Sequence, residues 1–367
     1  MEEKKYWVGF NHVKGIGAVR FQRLLDYFHD LETAWNATGV ELRNAGIGEK
    51  PLANLLYFRK QNDLDRIYED ILKKGIEIII RDDQNYPSAL KTISNPPPVL
   101  YIKGTILEQD ARSVAVVGTR KVTAYGKSVV HELGEILAHN GITIISGLAR
   151  GVDSEAHQAI LNHDGRTIAV LGSGIDIIYP PENRSLAEQI IANGALISDY
   201  APGTQPEGIN FPPRNRIIAG LSLATIVVEA GLRSGALITA EFAADQGKDV
   251  FAVPGSIYAP QSKGTNKLIF DGAHPLIRFD SIFEILGLDN VQYPKKVQNE
   301  LPTDETELLI LKILQKEALH IDDIQALSGF PIERVSAALS FLELKGYVQK
   351  TGNMIFSAIY EYQEEYS

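Results

Sequence analysis

The stretch TIISGLARGVDSEAHQAILNHDGRTIAVLG, residues 143–172, decides the fold. It opens on a short apolar run, TIISG (143–147), and closes on another, TIAVLG (167–172). Between them VDSEAHQAILNH reads as a helix. The pattern repeats on both sides. Upstream, SVAVVG (113–118) is an apolar run ending in glycine, and a helical pattern follows from about Ala124 to Asn140. Downstream come ALISDY (195–200), ATIVVEA (224–230) and DVFAVPG (249–255), with SGALITAEFAADQG (234–247) as the helix between the last two. Continuous apolar strands alternating with helices imply a mostly parallel sheet covered on both faces. The expectation is an α/β, doubly wound, Rossmann-like domain over residues 76–290. Its proline-rich lead-in, NYPSALKTISNPPPVLYIKG (85–104), reads as an extended segment packed on the sheet domain.

The flanks follow other patterns. Residues 1–75 are helical and punctuated by glycine. NHVKGIGAVRFQRLLDYF and NAGIGEKPLANLLYF each place a Gly-Ile-Gly turn before an amphipathic segment. That is the arrangement of a helix-hairpin-helix or SAM-like module, whose glycines let a tight turn present backbone N–H groups to a phosphate. Gly15 and Gly17 would make that turn, and a small helical interaction domain is the other reading. Residues 291–302 are a polar linker. From 303 to 367 the pattern resembles a winged helix: a turn at Ser328-Gly329, a helix with Leu339 and Leu342 inward, and a hairpin around Thr351-Gly352-Asn353. Between 301 and 367, eleven acidic residues stand against five lysines and arginines, a net of −6. Such charge favours a protein-docking module over a phosphate-binding one.

Composition narrows the function. The chain has 367 residues, a formal net charge of −10 and no cysteine. Disulfides and thiolate metal sites are excluded, which fits a reducing cytoplasm. No apolar stretch reaches the length of a membrane span, and MEEKKYWVGF lacks the apolar run of a signal peptide. An acidic chain does not bind polyanions by bulk charge, so any such site must be local.

The loops at the carboxyl ends of the strands are where a doubly wound sheet binds ligands. They are rich in Gly, Ser and Thr, and they hold Arg120, Lys121, Arg150, Arg214, Arg216, Arg233, Lys263 and Lys267. GTRKVTAYG (118–126) has neither the G-x-G-x-x-G dinucleotide fingerprint nor the G-x-x-x-x-G-K-[ST] phosphate loop. No G-x-S-x-G elbow occurs, and no ligand set suggests a metal. His157 reads as structural, Asp153 as a helix cap or a group orienting Arg150, and Glu229 as a carboxylate at the site edge that could do acid–base work but has no evident partner carboxylate. In FPPRNRIIAGLS (211–222), Arg214 and Arg216 are expected to face the cleft while Ile217, Ile218 and Leu221 run into the core.

Six stretches together resemble the DprA/Smf family, the DNA-processing proteins of bacterial natural transformation: VAVVGTRKVTAYG, TIISGLARGVDSEAH, TIAVLGSGIDIIYPPEN, FPPRNRIIAGLS, VVEAGLRSGALITAEFAADQGKDVFAVPGSI and KGTNKLIFDGAH. The match covers the whole sheet domain, in order and spacing. The resemblance implies a non-enzymatic protein that binds single-stranded DNA, self-associates as a dimer and loads a RecA-type recombinase, with neither cofactor nor membrane partner. It also implies a DNA site built from Gly118, Thr119, Arg120 and Lys121, from Ser146, Gly147, Ala149, Arg150 and Gly151, from Arg214, Asn215 and Arg216, and from Gly264, Asn266 and Lys267. Phe211, Tyr179 and Tyr125 lie in or beside these loops, where bases would stack on them. The competing reading is a nucleotide-binding enzyme resembling the phosphoribohydrolases of the lysine-decarboxylase-like group. Their PGGxGTxxE loop has no counterpart here, where the chain reads VEAGLRSGALITAE.

Overall fold

The computed structural model describes residues 3–288, 304–344, 347–350 and 354–358. Two compact units divide the chain between Tyr293 and Pro294.

The first unit is organised by a nine-stranded sheet. Its strands are β1 (Glu77–Ile80), β2 (Val99–Gly104), β3 (Ser113–Val117), β4 (Thr143–Ser146), β5 (Thr167–Val170), β6 (Ala195–Ser198), β7 (Ala224–Val227), β8 (Asp249–Ala252) and β9 (His274–Pro275). They lie in the order β1-β2-β6-β5-β4-β3-β7-β8-β9. From β6 to β9 every pairing is parallel, whereas β1 with β2 and β2 with β6 are antiparallel. The doubly wound, mostly parallel sheet is as the sequence predicts. The lead-in differs: its Val99–Gly104 end, expected only to pack on the sheet, is a strand within it, with Tyr101 paired to Ser198. The chain leaves β3 towards β4 and returns later to place β7 on β3's other side, so strand order reverses between β3 and β7.

Helices cover both faces. One face carries α8 (Ala124–His139), α9 (Val152–Leu161), α10 (Arg184–Asn193) and α14 (Asp280–Leu286); the other carries α7 (Ser88–Lys91), α11 (Phe211–Leu221) and α12 (Gly235–Asp245), and α13 (Lys263–Phe270) packs beside β8. The strands are buried along nearly their whole length, which is why they read as continuous apolar runs rather than alternating ones. Local signals fix the helix starts. Thr123 Oγ1 accepts the Gly126 N–H at the head of α8, Ser234 caps α12, and two prolines occupy the first turn of α11.

Six helices precede the sheet: α1 (Lys4–His12), α2 (Ala18–Phe28), α3 (Leu31–Asn36), α4 (Gly39–Asn44), α5 (Glu49–Gln61) and α6 (Leu64–Lys73). The Gly-Ile-Gly turns fall where expected: Gly15 takes a positive φ of 96° and α2 begins just after Gly17. Trp7, Phe10, Phe21 and Trp35 form an aromatic core that continues into Tyr101, Ala169 and Leu196 of the sheet. Polar links run across the same seam. Asn11 donates to the Asp199 carbonyl at 3.2 Å and accepts from the Tyr101 hydroxyl at 2.9 Å.

The second unit contains α15 (Glu305–Leu314), α16 (Ile321–Ser328) and α17 (Ile332–Leu344). A three-stranded sheet accompanies them, β10 (Leu319–His320), β11 (Val348–Lys350) and β12 (Ile355–Ala358), ordered β10-β12-β11. Leu339 and Leu342 are buried, and Gly329 ends α16 in the left-handed region, as a winged helix requires. The hairpin tip expected at Thr351-Gly352-Asn353 and the linker expected at 291–302 lie outside the described residues.

Candidate nucleic-acid interface

The reversal of strand order between β3 and β7 leaves a crevice at their carboxyl ends, the place where doubly wound sheets hold ligands. A cavity of about 730 Å³ occupies it. Gly118, Thr119 and Arg120 form one wall, Arg233, Ser234 and Gly235 another, and Tyr179, Phe211 and Asn215 a third.

Backbone contacts fix the Arg120 wall. The Thr119 N–H donates to the Glu229 carbonyl at 2.6 Å, and the Thr119 carbonyl accepts the Val152 N–H at 3.1 Å. Glu229 is buried and spends its carboxylate on Thr123, accepting the N–H at 2.9 Å and the hydroxyl at 2.6 Å. The edge carboxylate considered for acid–base work is therefore a clamp that anchors the loop to α8. Opposite, Ser234 caps α12, so Arg233 stands immediately before a helix N-terminus whose positive dipole end faces the cavity. Arg120, Lys121 and Arg233 are exposed, and among the described residues none of them has a recorded ion pair.

The floor is a buried polar cluster. Arg214 is 4 % exposed. Its guanidinium donates to the Gly147 carbonyl at 2.9 Å, to the Val170 carbonyl and to the Asn215 side-chain oxygen at 3.2 Å, and it lies 5.8 Å from the Phe211 ring. Burial pushes its pKa down, and Asp153 opposes that shift. Asp153 is buried too and accepts the Gly147 N–H at 3.1 Å. Burial raises its carboxyl above the usual range, while Arg214 and the Ala149 and Gly147 N–H groups pull the other way. Asp153 is thus neither a group orienting Arg150 nor a helix cap. It balances Arg214. Tyr179 and Phe211 stand at the rim with ring centroids 5.8 Å apart, Tyr179 being 38 % exposed.

Several residues expected at the cleft are placed otherwise. Arg214 lines the cavity from its floor rather than as an exposed groove wall: it is buried, and its Nη1 is held by the Gly147 and Val170 carbonyls. Arg216 points away from it, bound to the Asp199 carboxylate at 2.8 Å and the Asn95 carbonyl at 2.6 Å. Arg150 stays at the cleft edge, where with Gly147 it lines a small adjoining pocket beside Arg120, Tyr179 and Phe211, but its charge is paired with Glu182. Lys267 pairs with Asp271 one turn along α13 and does not line the cavity. Asn266 exchanges hydrogen bonds with the Gly255 backbone, and Gly264 donates to the Ala230 carbonyl. The KGTNKLI stretch therefore braces the neighbouring loops. Ser146 is buried and donates to the Val116 carbonyl at 2.6 Å, Gly147 meets the Asp153–Arg214 cluster, and Gly151 packs under the Arg120 loop. Ala149 and Asn215 do line the cavity. Tyr125 is spoken for at its hydroxyl, which donates to the Pro254 carbonyl at 3.0 Å. His157 is fully buried against Thr167, as a structural histidine should be.

The site residues implied by the resemblance omit the Arg233-Ser234-Gly235 wall, although Arg233 stands among the strand-end cations read from the sequence. Its signal was present: a cation directly before a serine N-cap, at the end of a strand that flanks the switch point.

Comparison with known proteins agrees with this architecture. Residues 77–287 match the family described as DNA recombination-mediator protein A, and residues 294–353 match the DprA winged helix domain. The chain is 37 % identical to Protein Smf of Synechocystis sp., over 96 % of this chain and 98 % of that one. It is 44 % identical to DNA processing protein DprA of Bacillus subtilis, over 63 % of this chain and 78 % of the relative. Among solved structures, DprA of Streptococcus pneumoniae superposes with a TM-score of 0.68 at 32 % identity, covering 80 % of this chain and 99 % of its own. DNA processing protein A of Helicobacter pylori, solved to show its single-stranded DNA binding mode, gives a TM-score of 0.53 at 32 % identity, covering 57 % and 95 %.

Proposed function

The chain belongs to the DNA recombination-mediator protein A family, DprA/Smf, and on that premise we propose that it binds single-stranded DNA in the cleft between β3 and β7. The observation that carries the reading is the pair of cations Arg120 and Arg233, neither with an ion pair among the described residues, in the wall of a cavity rimmed by Tyr179 and Phe211, with the exposed Lys121 next to Arg120 in the chain. Single strands need cations and N–H groups for phosphates and ring faces for bases, and both are within one cavity here. Local basic charge on an acidic chain focuses the field on that one mouth. The Helicobacter pylori relative's single-stranded DNA binding mode supports the same choice of ligand.

The protein acts as a binding protein rather than an enzyme. The carboxylates of the cleft are engaged structurally, Glu229 by Thr123 and Asp153 by backbone N–H groups, so neither is free to move a proton. Its finer role is to protect incoming DNA and load a RecA-type recombinase onto it during natural transformation, as a homodimer in the cytoplasm. Among the described residues no helix is long and apolar enough to cross a membrane.

An anisotropy titration of labelled oligo-dT against duplex DNA at two salt concentrations tests this. Oligo-dT should bind more tightly than duplex, with affinity falling steeply as salt rises. Absence of oligo-dT binding at low salt would sink the proposal.

A further inference from the structure

We infer that a strand held in the cleft continues onto an apolar lip formed by Leu232, Ile257 and Tyr258, where its bases stack outside the cavity. This rests on the cleft being a single-strand site. Leu232 lies between Gly231 and Arg233, both of which line the cavity, yet its own side chain is 57 % exposed. The loop that carries it is clamped to the one after β8. The Ala230 N–H donates to the Gln261 carbonyl at 2.7 Å, and the Gly264 N–H donates to the Ala230 carbonyl at 2.7 Å. In that second loop a tight turn, closed by Ala259 N–H to the Ser256 carbonyl at 3.0 Å, lifts Ile257 and Tyr258 into solvent. They are 72 % and 87 % exposed. Tyr125 braces the start of the turn through Pro254.

Scattered exposed apolar side chains are ordinary, but these three project from two loops hydrogen-bonded to each other at the edge of a cationic cavity. Cations flank them. Arg233 stands on the cavity side, and Lys263, exposed at the head of α13 and without a recorded ion pair among the described residues, stands beyond the turn. A backbone running from Arg233 to Lys263 places its unpaired bases over Tyr258 and the two aliphatic side chains. Duplex DNA, with its bases stacked inward, cannot use such a shelf. Stacking on it is indifferent to base identity, because every base has a π-face.

The test compares a thymidylate dinucleotide, small enough to be confined to the cavity of about 730 Å³, with a longer oligo-dT, using full-length protein and the variants Tyr258→Ala, Tyr258→Phe and Ile257→Ser. These side chains are exposed, so folding is not at risk. The longer strand should bind wild type more tightly. Tyr258→Ala should lose about tenfold for the longer strand and nothing for the dinucleotide, with Tyr258→Phe restoring the affinity. Equal affinities of wild type and Tyr258→Ala for the longer strand, with the dinucleotide still bound, would overturn the lip and leave the cleft standing. Failure of every oligonucleotide to bind wild type would overturn the cleft itself. A change of oligomeric state in Tyr258→Ala without loss of DNA affinity would assign the surface to self-association instead.

Discussion

Gly151 and Thr119 meet backbone to backbone: a Cβ at Gly151 would lie 2.3 Å from the Thr119 carbonyl oxygen. The loop after β4 is thus the seat of the loop that carries Arg120. Gly151 also holds φ at +78°, which L side chains avoid. Gly151→Ala should therefore displace Arg120 and lower oligo-dT affinity while Arg120 itself is intact. Anisotropy on the purified variant checks this, and wild-type affinity would show that the two loops are not coupled.

Arg120 and Arg216 separate by environment although both lie near strand ends. Arg120 is exposed and has no ion pair among the described residues, whereas Arg216 is held by Asp199 and Asn95. Arg120→Ala should weaken oligo-dT binding and reduce the slope of log affinity against log salt by about one. Arg216→Ala should leave that slope unchanged. Identical slopes for Arg120→Ala and wild type would remove Arg120 from the phosphate contacts.

Arg214 belongs to stability first. Replacing it with alanine leaves the Gly147 and Val170 carbonyls unpaired and Asp153 buried without its counter-charge. The cost should be about 3 kcal/mol, the range for breaking a buried charged cluster. Urea unfolding measures it. A variant of wild-type stability that fails to bind DNA would instead put the guanidinium on the ligand.

These contrasts mark what the sequence could convey. Parallel strands announce themselves because both faces are buried, so β3 to β8 read as unbroken apolar runs, and the loops at their ends are the cleft. Val99–Gly104 did not, since the prolines just ahead of it suggest a chain outside a sheet. Arg120 and Arg216 look alike in sequence, and so do Lys263 and Lys267. Which cation is free depends on carboxylates brought in by the fold: Asp199 from β6's end for Arg216, Asp271 one turn along the helix for Lys267. Only the second of those pairs has a sequence spacing that could have revealed it. Asp153 and Arg214, far apart in the chain, declare their partnership only when Gly147 is seen between them.

His157 sets an acid limit on the fold. Burial, with Arg214 adding to it, pushes its pKa from 6.5 down to about 3. The unfolded chain takes up a proton there below about pH 6.5 that the folded chain refuses, so stability is full above that pH and falls as pH drops towards 3. Between neutral pH and pH 5 this one group should remove about 2 kcal/mol. Burial also lowers the pKa of His12, so some slope should remain in His157→Gln. Urea midpoints at the two pH values should show a smaller drop for His157→Gln than for wild type. Equal drops would acquit His157.

Truncation after residue 293 separates the two compact units. The first unit keeps its own cores on both faces of the sheet and the complete cavity. The second carries its own core of Ile310, Leu311, Ile324, Val335 and Leu339 and stands in a stretch of net charge −6 over 301–367. Its α17, the helix a DNA-reading winged helix would place in the major groove, carries Glu333 and Glu343 against Arg334. Phosphates meet repulsion there rather than counterion release. Removing the unit should therefore leave oligo-dT affinity and its salt slope essentially unchanged, by anisotropy at two salt concentrations. A large loss of affinity in a truncated protein that still unfolds cooperatively would mean that the winged helix contributes to the DNA site despite its charge.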